Sequence, residues 1–306
     1  MKKVLQIIAQ KPGNTGSGIF LQSLVKEMYK KGYNQAVVAG ISKNDKIKLI
    51  KDKKISFYPV YFETDELPSK VVGMSDVMPY ESTKYTDMNE QMLIQWEKAF
   101  KKVIKVAVEK FKPDIILSHH LWMLTALVKK WYPNIPMIGI CHGTDLRQLE
   151  KSKEYSAEVI KECRNIETVF ALNNFQKEKI HKKYGIEKNK IFTMGSAYNS
   201  DVFYSNIEKK ENKLINLVYA GKLSYSKGVM HLVNAYDEII SINKNLNLII
   251  VGSGKGEESD NIKKTGENIN KNINKNIEFT GMVSQYELGD IFRKSDIFVL
   301  PSFYEG

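Results

Sequence analysis

The feature that most limits what this chain can fold into is a repeated alternation. Short runs rich in Val, Ile and Phe ("VLQIIA", "QAVVAGI", "ISFYPVYF", "DIILSH", "PMIGICH", "TVFALN", "KIFTMG") are separated by stretches with helical spacing of their apolar residues. Between the first two runs, Leu21, Leu24, Val25 and Met28 share one face of a helix predicted over Gly18 to Lys31. Strand followed by helix, again and again, predicts an α/β fold with parallel, doubly wound sheets covered on both faces. At 197–213 the apolar rhythm breaks and charge rises, which marks a linker. A second series then begins: "LINLVYAG", a helix from about Lys227 to Ile240, "NLNLIIVG", a loop with a short helix, "IEFTG", a helix from Ser284 to Arg293, and "DIFVLPS". A length of 306 residues exceeds one typical domain. Two Rossmann-like domains, 1–200 and 201–306, are therefore expected to face a cleft, with ligands outside the carboxyl ends of the strands.

The first loop, "KPGNTGSGIFLQSL", has the Gly13 and Gly18 spacing of a P-loop, but Ile19 and Phe20 stand where Lys and Ser or Thr would hold a γ-phosphate and magnesium. A nucleotide hydrolase is not expected. A dinucleotide fingerprint fails too, because Leu21 replaces its third glycine and "QAVVAGI" ends without the ribose-binding acid. The two cysteines, Cys141 and Cys163, lie in apolar or helical patterns and read as buried reduced thiols. No apolar run is long enough to span a bilayer and the opening "MKKVLQIIAQKPGN" is too short for a signal peptide, so a cytoplasmic protein is expected. The formal charge of +11 reflects either an anionic partner or a lysine-rich background. "ENINKNINKNIE", 267–278, reads as a low-complexity surface loop. "WEKAFKKVIKVAVEKF", Trp96 to Phe111, is an amphipathic helix whose stripe packs either on a sheet or at the inner membrane surface.

In the second series "VYAGKLSYSKGVMHL" runs from a strand through Gly221 and Lys222 to Lys227 and Gly228 at the mouth of a helix. Two cations beside a helix N-terminus suit a diphosphate, although the same segment also reads as a solvated loop. Taken in order, "GNTGSGIFLQSLVKEMYKKGYN", "PDIILSHHLW", "ICHGTDL", "AGKLSYSKGV", "IIVGSGKG", "IEFTGMVSQYEL" and "SDIFVLPSFYEG" resemble the GT-B glycosyltransferases, in particular retaining family 4 (glycosyl transferases group 1).

That resemblance implies a nucleoside diphosphate sugar as donor, a UDP-sugar by expectation, with backbone amides around Gly16 and Gly18 reaching its diphosphate. Lys222 and Lys227 would clamp the diphosphate leaving group. The family often has arginine at the first of these positions, so Lys222 would act as a point charge. His142 would lie near the donor sugar and reaction centre, Val283 at the nucleobase, Glu305 on sugar hydroxyls, and His119 and His120 toward the acceptor. Asn199 would fill the turn where the family commonly has Asn-Gly-Val-Asp.

The implied chemistry is transfer with retention to a glycan or lipid-linked acceptor, as in cell-surface polysaccharide biosynthesis. The cations are lysines instead of a metal, because no Asp-x-Asp appears in the cleft loops. By the same resemblance the second carboxylate of the family's paired-Glu motif would fall beyond Gly306, so the second domain is expected to be incomplete, this stretch to have little activity, and "DIFVLPS" to be an exposed apolar edge. A non-catalytic sugar-nucleotide or glycan-binding module of the same fold is the alternative.

Overall fold

A computed structural model of the chain describes residues 2–13, 15–45, 55–76, 78–195, 197–205, 214–273 and 276–303. They divide into two units, Met1–Ala197 and Tyr198–Gly306.

The first unit begins with β1 (Lys3–Ile8), α1 (Gly16–Lys30), β2 (Asn34–Ser42), β3 (Ile55–Phe62) and two short strands, β4 (Val72–Gly73) and β5 (Thr83–Lys84). It continues with α2 (Glu90–Phe111), β6 (Ile115–His119), α3 (Met123–Trp131), β7 (Met137–Ile140), α4 (Thr144–Lys151), α5 (Lys153–Cys163), β8 (Thr168–Ala171), α6 (Asn174–Tyr184) and β9 (Ile191–Thr193). Seven of these strands form one sheet in the order β3-β2-β1-β6-β7-β8-β9, with every pairing parallel. The chain runs outward from β1 to β3, then returns to place β6 on the other side of β1. The topological switch point therefore lies between the carboxyl ends of β1 and β6.

β1 and β2 are buried along almost their whole length because the sheet is covered on both faces there, which explains their near-continuous apolar composition. α2 shows why its stripe reads as it does: Trp96, Phe100, Ile104 and Ala107 are fully buried in the main core of this unit. Burying each large side chain contributes roughly 1.5–3 kcal/mol. The stripe is thus committed to the sheet and is not a membrane face.

The second unit contains β10 (Ile215–Ala220), α7 (Val229–Ile242), β11 (Leu246–Val251), α8 (Glu257–Ile273), β12 (Ile277–Gly281), α9 (Gln285–Lys294) and β13 (Ile297–Phe298). Its four strands are parallel in the order β12-β11-β10-β13, again with a switch point, here between β10 and β13. β13 is an edge strand whose Ile297 and Phe298 are each 51% exposed, the apolar edge expected from "DIFVLPS".

The segment read as a low-complexity loop is corrected. Residues 267–273 belong to α8, which is long instead of short. Ile262 and Ile269, two turns apart, are buried in the core, and Gly266 lets the helix approach the Phe279 ring closely. Asn270, one of the repeat's asparagines, bonds both backbone groups of Ile277 on the edge strand β12: its Nδ2 donates to the carbonyl oxygen (2.8 Å) and its Oδ1 accepts from the amide (3.0 Å). Asn and Lys on the remaining faces conceal the apolar spacing.

The described part of the expected linker is also fastened. Asn199 closes a turn by accepting from the Asp201 amide (3.1 Å), and the Arg293 guanidinium of α9 donates to the Val202 carbonyl (2.7 Å). Residues 206–213 lie outside the described residues.

Candidate active site

In the first unit, the loop after β1 and the segments after β6 and β7 enclose a cavity of about 280 Å³, lined among others by Gln10, Thr15, Gly16, His120, His142 and Thr144. Thr15 caps α1, its hydroxyl accepting from the Gly18 amide at 3.0 Å. A Cβ on Gly18 would stand 2.5 Å from the Gly13 nitrogen, so the P-loop-like spacing of these glycines serves the close folding of the loop on the helix start. The Gly18 amide is thereby engaged inside the loop. Gly16, by contrast, lines the cavity and has open space where a Cβ would be. Gln10 joins the two walls: its amide donates to Ser17 Oγ (2.8 Å) and Thr15 Oγ1 (3.1 Å), and its oxygen accepts from the Met74 amide (3.2 Å).

Three histidines converge here. His119 ends β6, His120 follows it, and His142 comes just after β7, so neighbouring parallel strands deliver all three to one end of the sheet. His119 Nδ1 lies 3.2 Å from His142 Nε2, and the His120 and His142 ring centroids are 4.7 Å apart. His120 adopts a left-handed backbone conformation (φ 72°), held by its amide donating to the Ile140 carbonyl at 2.9 Å, and its Nδ1 meets Thr144 Oγ1 at 3.3 Å. His120 Nε2 is buried without a hydrogen-bond partner, in a residue that lines the cavity. Phe20 of α1 presents its ring edgewise to both His119 and His142.

Burial pushes the affinity of all three imidazoles for a proton down. His119 and His120 are held well below the usual histidine range, with the neighbouring histidines adding to the effect. His142 is lowered to about 4 by burial, against the opposing pull of the Asp145 carboxylate. At neutral pH the cluster is uncharged.

Asp145, completely buried on α4, organises the turn that carries His142. Its carboxylate accepts from the backbone amides of Leu121 (2.9 Å) and His142 (3.3 Å) and from the Cys141 thiol (3.2 Å). Burial, reinforced by this carboxylate, pushes the Cys141 thiol well up, so it stays protonated; Cys163 is likewise a buried free thiol. The sequence reading did not single out Asp145. The signal was its place three residues after His142, with Gly143 at a positive φ of 88° between them.

In the second unit the loops that follow β10, β11 and β12 are knitted together. The Gly221 amide donates to the Val251 carbonyl (2.9 Å), that of Leu223 to Ser253 (3.1 Å), and that of Gly252 to Gly281 (2.8 Å). Gly252 must be glycine, since its φ is 130° and a Cβ there would run into the Gly221 carbonyl. The Tyr219 hydroxyl donates to the Lys222 carbonyl (2.8 Å), and Glu258 of α8 accepts from the Tyr225 amide (3.1 Å). Gly221 and Lys222 are exposed and Lys227 half-buried on this one held loop, with Gly228 (φ 68°) preceding the first turn of α7. The Phe303 amide donates to the Ser226 carbonyl (3.2 Å), which brings the chain's last described residues to the lysine loop. Glu305 itself lies outside the described residues. Val283 is half-buried between β12 and the capping box of α9, in which Ser284 and Glu287 bond reciprocally.

Both units carry loop clusters at a switch point of a parallel sheet, one holding neutral histidines and the other lysines. Solved structures share this architecture over the whole chain. Sucrose-phosphate synthase from Thermosynechococcus elongatus superposes with a TM-score of 0.68 at 13% identity, covering 100% of this chain and 76% of that one. The Anabaena HepE protein, solved with UDP and glucose, gives 0.62 at 13% identity, covering 99% and 74%. The fold is GT-B. Residues 81–199 match the model of Glycosyltransferase Family 4 and residues 200–306 that of Glycosyl transferases group 1. The chain belongs to the GT-B glycosyltransferases of this group 1/family 4 type.

The chain is 29% identical to an uncharacterized glycosyltransferase of Methanocaldococcus jannaschii over 51% of its length, spanning 36% of that protein. It is 22% identical to the putative teichuronic acid biosynthesis glycosyltransferase TuaC of Bacillus subtilis over 99% of its length, spanning 76% of that protein.

Proposed function

We propose that this glycosyltransferase takes its sugar from a nucleoside diphosphate donor, a UDP-sugar in the first instance, and transfers it with retention to a glycan or lipid-linked acceptor in cell-surface polysaccharide synthesis. The observation that carries this reading is the loop bearing Lys222 and Lys227 at the switch point of the second unit, tied down by the Tyr219 and Glu258 hydrogen bonds. As the sugar–phosphate bond breaks, negative charge grows on the diphosphate, and ammonium groups carried on a held loop stabilise it. No divalent metal is required for that task. Glu305 would bind donor hydroxyls and Val283 would pack near the base.

In the first unit, neutral His142 accepts a hydrogen bond from a sugar hydroxyl, a role an imidazolium could not fill. Gly16, without a side chain, lets the substrate approach the start of α1. The names of the TuaC relative and of the structural neighbour described as a lipopolysaccharide outer core galactosyltransferase support a surface-polysaccharide acceptor. Among the described residues no helix is long and apolar enough to cross a membrane. With a formal charge of +11 we place the protein at the cytoplasmic face of the membrane, where anionic headgroups attract it.

The test is a panel of nucleoside diphosphate sugars offered with candidate acceptors, following nucleotide release and product anomeric configuration. Transfer with retention, abolished in His142→Asn, is the expected result. Binding without transfer by any donor would assign the chain to the non-catalytic modules of this fold instead.

A further inference from the structure

A neutral imidazole has one N–H and one lone pair, and its partners decide which nitrogen carries which. For His142 that decision traces back to a backbone carbonyl on α1. The Val25 carbonyl can only accept, so the group facing it at 2.9 Å is the Gln35 amide nitrogen. The Gln35 oxygen then accepts from the Gln6 amide nitrogen at 2.8 Å, which leaves the Gln6 oxygen toward His119 Nε2 at 3.3 Å. An oxygen acceptor there requires the His119 proton on Nε2, so His119 Nδ1 is the lone pair. Its partner at 3.2 Å, His142 Nε2, must be the donor.

The ring geometry agrees with a hydrogen bond in the ring plane. The two imidazoles are within 11° of parallel with centroids 5.5 Å apart, and their nitrogen–nitrogen distance is that separation less two ring radii. The rings therefore meet edge to edge, with the N–H along the lone pair. The other groups around His142 do not compete: Phe20 and His120 touch its ring at inclined angles, and Asp145 is bonded to its backbone amide.

We propose that Gln35, Gln6 and His119 form a directed relay that holds His142 as the Nε2–H tautomer and keeps Nδ1 a standing acceptor for a substrate hydroxyl. The hydroxyl rests on the transferase reading above; the tautomer does not. Gln6, Gln35 and His119 are 0%, 1% and 2% exposed. Reversing the relay would set the Gln35 oxygen against the Val25 oxygen in a site without solvent, where an unmet polar group is costly. Two glutamines inside central strands cost burial that apolar residues would not, and the relay gives that cost a purpose. The three are positioning residues, acting on substrate through His142.

The experiment is long-range ¹H–¹⁵N correlation on the full chain labelled at histidine, at neutral pH, with His142→Asn identifying the cross-peaks. The wild type should show His142 as a single Nε2–H tautomer. In Gln6→Met and Gln35→Met, with circular dichroism and tryptophan fluorescence unchanged, its two nitrogen shifts should move toward each other as the tautomers mix. A wild-type His142 protonated at Nδ1 overturns the relay, as does an unchanged single tautomer in folded Gln6→Met. The wild-type spectrum decides alone if the variants do not fold. Absence of donor turnover would count only against the proposed function, since this readout needs no activity.

Discussion

Mild acid should destabilise the first unit, and the histidine cluster sets how strongly. In the native state His119 and His120 are held well below the ordinary histidine value of 6.5 and His142 at about 4, all chiefly by burial. In the unfolded chain each regains a pKa near 6.5. The unfolded state thus binds more protons as pH falls, so stability is complete above the unfolded value and is lost progressively between there and the native values. One pH unit below 6.5, each histidine that stays neutral in the native state costs about 1.4 kcal/mol, and three together about 4 kcal/mol. Native domains have only about 5–15 kcal/mol to lose.

Carboxylates held down by lysine partners, such as Glu150 and Glu158, act at lower pH and leave this window to the histidines. The assay is urea unfolding at about pH 7.5 and 5.5, followed by intrinsic fluorescence. Trp96, Trp122 and Trp131 all belong to the first unit, and these are the chain's three tryptophans, so the signal isolates it. The midpoint should drop sharply at the lower pH with little change in slope against urea, and His142→Asn should remove about a third of the drop. A midpoint that is flat or rises toward pH 5.5 would refute the burial of three neutral imidazoles.

Asp145→Ala strips acceptors from the buried Leu121 and His142 amides and should destabilise the first unit by about 3 kcal/mol or more, read in the same urea experiment; a loss under about 1 kcal/mol would show the turn holds without it. Gly228→Ala combines a left-handed backbone (φ 68°) with a Cβ driven into the Pro301 carbonyl. Hydrogen exchange in β10 and β13 should accelerate, and unchanged protection there would contradict the packing described. Donor turnover should persist in excess chelator; complete loss restored by manganese would reverse the assignment of the leaving-group charge to lysines.

Periodicity made the sheets legible: β1 and β2, buried along almost their whole length, are nearly continuous apolar runs, and even the edge strands β3 and β12 coincide to the residue with "ISFYPVYF" and "IEFTG", which are rich in β-branched and aromatic residues. α8 escaped because its buried Ile262 and Ile269 are diluted by Asn and Lys. His142 was legible from its place after an apolar strand and before glycine. The direction of His119 and His120 was not, since it depends on a positive φ at His120 and on strand neighbours far apart in sequence. Gln6 and Gln35 went unread as well: a single polar residue inside "VLQIIA" acquires meaning only when the register of β1 on β2 sets it beside the other.

The most direct measurement is calorimetric titration of UDP, and of other nucleoside diphosphates in parallel, into the chain and into Lys227→Ala. A contact between an ammonium and a diphosphate is worth roughly 1.5–3 kcal/mol. The account predicts saturable binding of at least one nucleoside diphosphate, weakened about tenfold or more in the variant with the fold intact. Equal affinity for both proteins, or no binding of any nucleoside diphosphate by the wild type, would contradict it.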